Sequence, residues 1–200
     1  MVINLKSIRK NVANEIIINK SKFITKLIKI ENEDDAKEKI EYLKKQYKDA
    51  THCCFSYITG TIKRFNDDGE PGGTAGMPIL NVLENNDLTN ILCVVIRYYG
   101  GIKLGAGGLV RAYTNSVVQA LDNSEIINLT NGLNLKIEFA YDKIKIIDNI
   151  LNNIKINYKE YDNNVIYELS ITNEKFEEIK KELENHILNL DIKKEVLIEV

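Results

Sequence analysis

The sequence predicts an α+β protein of two domains, residues 1–131 and 132–200. Apolar residues alternate in some short segments, as in half-buried strands, and recur every three or four residues in others, as in helices. The hydrophobic content of 44% is sufficient for packed cores. Between the two parts, Thr130-Asn131-Gly132 interrupts the pattern and predicts a linker.

The first domain is the less regular one. A turn at Gly60 separates two of its strands, and Pro78 suits the first turn of a helix, where its missing N–H costs little. The apolar run ILCVVIRYY is typical of a central strand that is buried on both faces. The predicted strands are 12–19, 22–30, 53–59, 62–66, 91–99 and 125–130, and the predicted helices are about 33–48, 77–86 and 106–122.

The second domain has a simple order of elements. Alternating runs predict strands, a hairpin turn is expected near 162–164, and Asn173 is the expected cap of the last helix. The resulting order, βαββαβ, is that of a ferredoxin-like sandwich. The predicted strands are 133–140, 154–161, 164–171 and 193–200, and the predicted helices are about 144–154 and 173–187.

Composition limits the possible functions. No stretch approaches the ~18 apolar residues that cross a bilayer, and the first twenty residues lack a secretory signal, so we expect a cytoplasmic protein without a membrane partner. Cys53, Cys54 and Cys93 form no C-x-x-C pair, which favours buried, reduced thiols and neither metal nor cofactor. All four arginines lie in residues 1–131, which mildly favours an anionic partner there.

Nine of the eleven glycines and both prolines lie between Gly69 and Gly108. The nine glycines fall in a first glycine segment, DDGEPGGTAG at residues 67–76, and a second glycine segment, RYYGGIKLGAGGLVRAY at residues 97–113. Glycine concentrated in this way indicates backbone that takes positive φ or lies close to another group. The second segment leads from a strand into a helix, whose free N–H groups can face an anion.

These segments provide a candidate anion-binding site. Arg97, Lys103 and Arg111 would neutralise phosphates, while Asp68 and Glu70, with Asp67, would hold the arginines in place. The alternative is a network of ion pairs that binds no ligand, because structural ion pairs resemble sites in any argument from charge. The expected binding residues are Asp68, Glu70, Arg97, Lys103, Gly105, Gly107, Gly108 and Arg111.

Two other functions are compatible with the sequence. A hydrolase acting on a phosphorylated or peptide substrate would use His52 as a base, with Asp67 and Asp68 on a metal. A protein-binding adaptor would use the acidic helix at 173–187. His52 precedes an apolar strand, where histidine more often satisfies local hydrogen bonds, so a non-enzymatic binding protein is the preferred interpretation.

Four motifs resemble the Impact family. They are KSKF at 20–23, ATHCCFSY at 50–57, RFNDDGEPGGTAGMPIL at 64–80 and VVIRYYGGIKLGAGGLVRAY at 94–113. The resemblance implies a first domain like the second domain of ribosomal protein S5 and a ferredoxin-like second domain. Eukaryotic members regulate translation and associate with ribosomes. The resemblance therefore implies a translation-associated regulator with a ribosome, RNA or protein partner, and no DNA partner is expected.

Overall fold

A computed structural model describes residues 5–200, so the first four residues of the predicted first domain lie outside the described residues. The described chain divides into two compact units, the first ending at Asn128 and the second being Leu129–Val200. The fold class is α+β, as predicted: each unit combines helices with an antiparallel sheet. No helix in the described part of the chain is long and apolar enough to cross a membrane.

The first unit is built on a five-stranded sheet. Its strand order is β2-β3-β6-β4-β5, and every neighbouring pair is antiparallel. A short strand that the sequence pattern did not predict, β1 (Leu5–Ile8), lies outside this sheet, and its Ile8 is fully buried. The five strands of the sheet are β2 (Val12–Ile18), β3 (Ser21–Lys29), β4 (His52–Thr59), β5 (Ile62–Asn66) and β6 (Ile91–Tyr98).

Helices cover both faces of this sheet. Because side chains alternate along β6, Cys93 and Val95 join one core, while Val94 and Ile96 join the other. The first core contains buried residues of α2 (Gly76–Asn85) and α3 (Ala106–Asp122), and the second contains those of α1 (Glu33–Gln46). Every residue of β6 up to Arg97 is buried, which confirms the predicted central strand.

The second unit has the predicted βαββαβ order. In its sheet, β7 pairs with β9 and β10, and β8 pairs with β9. Thr172, rather than the expected Asn173, caps the last helix, because its side chain accepts a hydrogen bond from the Lys175 N–H. The elements are β7 (Ile126–Phe139), α4 (Ile144–Ile150), β8 (Lys155–Tyr161), β9 (Val165–Thr172), α5 (Asn173–Glu184) and β10 (Asn189–Glu199).

The predicted linker at 130–132 was wrong, because these residues continue strand β7. Gly132 pairs with Val196 of β10 and with Thr172 of β9. A Cβ at Gly132 would lie 2.6 Å from the Ile171 carbonyl oxygen, so glycine serves close packing of strands here instead of a turn. The sequence pattern of a glycine after two polar residues is therefore the same in this strand as in a loop.

Candidate functional site

The first glycine segment begins with a tight turn. The Glu70 N–H donates to the Asp67 carbonyl oxygen at 3.0 Å, and Asp68 and Gly69 between them have φ of 46° and 86°. Asp-Gly is a favoured pair for two consecutive positive φ values, as in a type I′ turn. The turn directs the side chains of Asp67, Asp68 and Glu70 to different partners.

Asp67 fixes the start of helix α2. Its Oδ1 accepts hydrogen bonds from the Ala75 and Gly76 N–H groups at 3.0 and 2.7 Å, and its Oδ2 accepts one from Gly73 at 2.8 Å. The carboxylate thereby satisfies N–H groups that a helix start leaves without partners. Both oxygens are engaged, so a metal ion would have to compete with this cap.

Asp68 is held by a lysine and by strand β4. Its Oδ1 lies 2.9 Å from Lys44 Nζ, and its Oδ2 accepts a hydrogen bond from the Cys53 N–H at 2.7 Å. The hydrogen bond to Asp68 raises the pKa of Lys44. Asp68 therefore does not contact any arginine that the sequence analysis assigned to it.

Glu70 forms a buried ion pair with Arg97, as the sequence analysis expected for one of the acids. Arg97 Nη1 donates to Glu70 Oε1 at 2.6 Å, and the Tyr113 hydroxyl donates to the same oxygen at 2.8 Å. Arg97 Nη2 donates to Ser21 Oγ at 3.3 Å. Arg97 is only 4% exposed, with its guanidinium carbon 5.4 Å from the centre of the Phe23 ring.

Burial changes the role expected of Arg97. With its guanidinium in the interior and paired with the Glu70 carboxylate, Arg97 presents almost no surface to a phosphate outside the protein. Within the described residues, its Nε is a buried donor without a partner. Arg97 instead joins the two glycine segments: it belongs to the second, and Glu70 to the first.

His52 also contacts this cluster. Its Nδ1 lies 2.9 Å from the Asp68 carbonyl oxygen, and a carbonyl only accepts, so Nδ1 carries the proton. The remaining nitrogen, Nε2, is 3.8 Å from Glu70 Oε2. Neither carboxylate assigned to a metal by the hydrolase alternative points at His52: Asp67 caps α2 and Asp68 binds Lys44.

Two buried thiols lie on strand β4 under the turn. The Cys54 thiol donates to the Asp67 carbonyl oxygen at 2.9 Å, and burial raises its pKa. Burial, reinforced by the Asp68 carboxylate, raises the pKa of Cys53 to about 11. In the part of the chain that the structure describes, no three His, Cys, Asp or Glu residues are grouped so that they could hold a metal ion.

The second glycine segment presents its charges differently. Lys103 and Arg111 are exposed, and among residues 5–200 neither forms an ion pair or a hydrogen bond. Helix α3 begins after Gly105, which has φ of 69° and provides no side-chain cap, and its first turn contains no acidic residue. Lys103 precedes the first N–H groups of α3, those of Ala106 and Gly107 among them, by a few residues, and Arg111 Nη1 lies 3.7 Å from the position of a Cβ at Gly107.

Sequence reasoning missed two members of the buried cluster, Ser21 and Tyr113. Ser21 Oγ accepts hydrogen bonds from Arg97 and from the Gly100 N–H, the latter at 3.1 Å. Tyr113 lay on the apolar side of its predicted helix, where a phenol resembles any other core residue. A useful signal was available: both are polar groups at inward positions, and buried polar groups require partners.

Comparison with known proteins identifies the family. The model of the Impact N-terminal domain matches residues 19–121, which include both glycine segments. The chain is 40% identical over 138 residues to an IMPACT family member of Haemophilus influenzae, a match that covers 66% of this chain and 67% of that protein. The chain belongs to the Impact family. The resemblance seen in the four sequence motifs is thereby confirmed.

Other Impact proteins show the extent of the similarity. The chain is 49% identical over 117 residues to IMPACT family member YvyE of Bacillus subtilis, covering 57% of this chain and 54% of that protein. It thus matches about half the length of that relative. A solved hypothetical protein is 32% identical with a TM-score of 0.68, and the match covers 92% of this chain and 93% of that one. The fold of that protein therefore extends over both units.

Proposed function

We propose that this Impact protein is a translation-associated regulator that binds RNA, free or in the ribosome, through the exposed face of the second glycine segment. The observation that carries the proposal is the pair of cations without partners, Lys103 and Arg111, beside the uncapped start of α3. A cation near a helix N-terminus opposes the helix dipole, so an anion bound there would be favoured twice, by the charges and by the free N–H groups.

The proposed site differs in one respect from the one expected from the sequence. Lys103, Arg111 and the backbone at Gly105, Gly107 and Gly108 remain its members. Arg97 and Glu70 support it from behind, since Glu70 binds Arg97 and Tyr113 and Tyr113 belongs to α3, whereas Asp68 binds Lys44 and the Cys53 N–H instead. The buried ion pair thus fixes the helix whose first turn would receive a phosphate.

Membership of the Impact family supports RNA as the anion, since the resemblance implies association with ribosomes. RNA presents a series of phosphates, and each phosphate neutralised by Lys or Arg makes binding more sensitive to salt. Two surface cations and one helix start bind weakly by themselves, which suits a protein that would contact RNA over several phosphates. No enzymatic activity is part of this proposal.

The experiment is binding of the purified protein to ribosomes and to short single-stranded RNA across a salt series. The double variant Lys103→Ala/Arg111→Ala should bind more weakly, and its plot of log affinity against log salt should be shallower by about 1.4, or roughly 0.7 per lost phosphate contact. The control, Lys145→Ala/Lys181→Ala, removes the same charge from exposed positions in the second unit and should bind as the parent does.

Two results would contradict the proposal. The parent protein would bind neither ribosomes nor RNA, or both double variants would lose the same affinity and the same slope. In the second case the attraction would depend on net charge alone, and the second glycine segment would have no special part in it.

A further inference from the structure

The fold itself gives a reason for nine of the eleven glycines. Five have positive φ, which other residues adopt at a cost, and at four more a Cβ would lie within about 3.1 Å of other atoms of the chain. Gly72 and Gly107 have neither property. The first group is Gly60, Gly69, Gly73, Gly101 and Gly105, and the second is Gly76, Gly100, Gly108 and Gly132.

Gly72 occupies an ordinary position in a turn. The Thr74 N–H donates to the Pro71 carbonyl oxygen at 3.0 Å, and Gly73 has φ of 77°. A turn of this kind needs glycine at its third position, which Gly73 fills, whereas its second position accepts most residues. A Cβ at Gly72 would meet nothing within 4 Å, so the turn does not require glycine there.

Gly107 lies in the first turn of α3, where glycine weakens a helix relative to alanine. The nearest atom to a Cβ at this position is Arg111 Nη1 at 3.7 Å, an ordinary van der Waals distance. The Arg111 guanidinium, which has no partner among the described residues, therefore lies one turn along the helix and directly over the bare backbone of Gly107. An anion bound by that guanidinium would come close to Gly107.

The two glycines lie near the same buried cluster. Gly72 is two residues from Glu70, at most about 7 Å along the chain, and Gly107 is six residues from Tyr113, about 9 Å along the helix axis. Glu70 and Tyr113 are joined by a hydrogen bond of 2.8 Å. Both bare positions therefore lie within the span of a few nucleotides.

We propose that Gly72 and Gly107 are the two positions at which the sugar–phosphate backbone of a bound RNA strand lies directly against the protein backbone. This inference rests on the proposed function and deepens it, because it brings the first glycine segment into contact with the ligand. Glycine is useful at such positions since a side chain would hold the strand away from the protein surface. The unpaired Arg111 beside Gly107 favours an anionic group such as a phosphate over an uncharged segment, and the family's association with ribosomes favours RNA as its source.

The test compares stability and RNA binding in the variant Gly72→Ala/Gly107→Ala. Because neither position needs glycine, its melting temperature should equal that of the parent or exceed it by up to about 3 °C. Its affinity for the RNA used above should fall by about tenfold, since each added methyl group occupies space that the strand needs. Loss of binding by a protein that is no less stable is an effect that a purely structural glycine would not produce.

Gly60→Ala is the matched control. Gly60 has φ of 55° and open space around it, and it lies in the turn between β4 and β5, so alanine should lower the melting temperature and leave RNA affinity unchanged. If the double variant binds RNA like the parent, which itself shows the expected salt slope, the glycine inference is wrong and the proposed function stands. If the parent binds no RNA, both are wrong.

Discussion

The two glycine segments are both rich in glycine, but the first carries only acids and the second only basic residues, and these charges are arranged differently. In the first, all three acids have partners inside the protein: Asp67 caps α2, Asp68 binds Lys44 and Cys53, and Glu70 binds Arg97. In the second, Lys103 and Arg111 face solvent without partners in the described chain. Charged residues in a glycine-rich sequence can therefore either stabilise the fold or form a binding surface. The partners of their side chains in the structure distinguish the two cases.

The difference has a physical origin in the elements that carry each segment. The first closes on itself in a turn over strand β4, which brings its carboxylates against backbone N–H groups and buried side chains. The second ends in a helix whose apolar face, with Tyr113 and Val117, is buried, so that Arg111 points away from the core. Charge turned inward stabilises the fold, and charge turned outward remains available to a ligand.

The variant Glu70→Gln is expected to give the largest effect on stability. It keeps the shape of the side chain but leaves the buried Arg97 guanidinium without a counter-charge, which should lower the free energy of unfolding by about 3 kcal/mol. Urea denaturation near neutral pH measures this loss.

The matched control is Glu84→Gln. Glu84 also lies 2.6 Å from its cation, Lys63, but both side chains are substantially exposed, so the loss should stay below about 1 kcal/mol. Equal losses in the two variants would mean that the Glu70–Arg97 pair contributes no more to stability than an ordinary surface ion pair.

Alkaline pH should act on the strand beneath the first glycine segment. Burial and the Asp68 carboxylate raise the pKa of Cys53 from 9.0 to about 11. The unfolded state therefore loses the thiol proton first, so the stabilisation is complete below pH 9 and is lost as the pH rises toward 11. At pH 10 the free energy of unfolding of the protein should therefore be about 1 kcal/mol lower than below pH 9, owing to this thiol alone.

Cys53→Ala isolates that contribution. The variant should lose about 1 kcal/mol less than the parent between pH 8 and pH 10 in urea denaturation, because it has no thiol to ionise at this position. The lost packing of the sulfur lowers stability equally at both pH values and cancels in the comparison. An unchanged pH dependence would show that Cys53 ionises equally well in the folded and unfolded states.

Most of the fold was predictable because periodicity depends on burial, which is a local property of sequence. Strand β6 and helix α3 are long and strongly patterned, and both were predicted within a residue or so of their bounds. Strand β1, with four residues, is too short to show a pattern. Gly132 was wrongly predicted as part of a linker because tight strand packing and a turn select the same residue.

The residue types of the site were predictable from the sequence, but the ion pairs and hydrogen bonds between its side chains were predictable only in part. Sequence indicated that acids would hold arginines, and Glu70 does hold Arg97, but Asp68 binds Lys44 instead. Which acid meets which cation depends on strand register: Arg97 lies opposite Phe23 and His52 on neighbouring strands, and no local pattern encodes this. Exposure of Arg111 was predictable because helical geometry alone determines it.

The smallest expected effect on stability comes from the second glycine segment, and it should not have the destabilising sign expected for Glu70→Gln in the first. Lys103→Ala/Arg111→Ala should leave the free energy of unfolding unchanged or raise it by up to about 0.5 kcal/mol, because it removes cations that oppose the dipole of α3 and have no partners. Urea denaturation of the double variant and of Glu70→Gln under the same conditions measures both changes in the free energy of unfolding. A loss above about 1 kcal/mol would show that these cations support the fold after all. A protein keeps unpaired charges at an unfavourable end of a helix when they serve an external ligand, and an unchanged or raised stability is what that explanation requires.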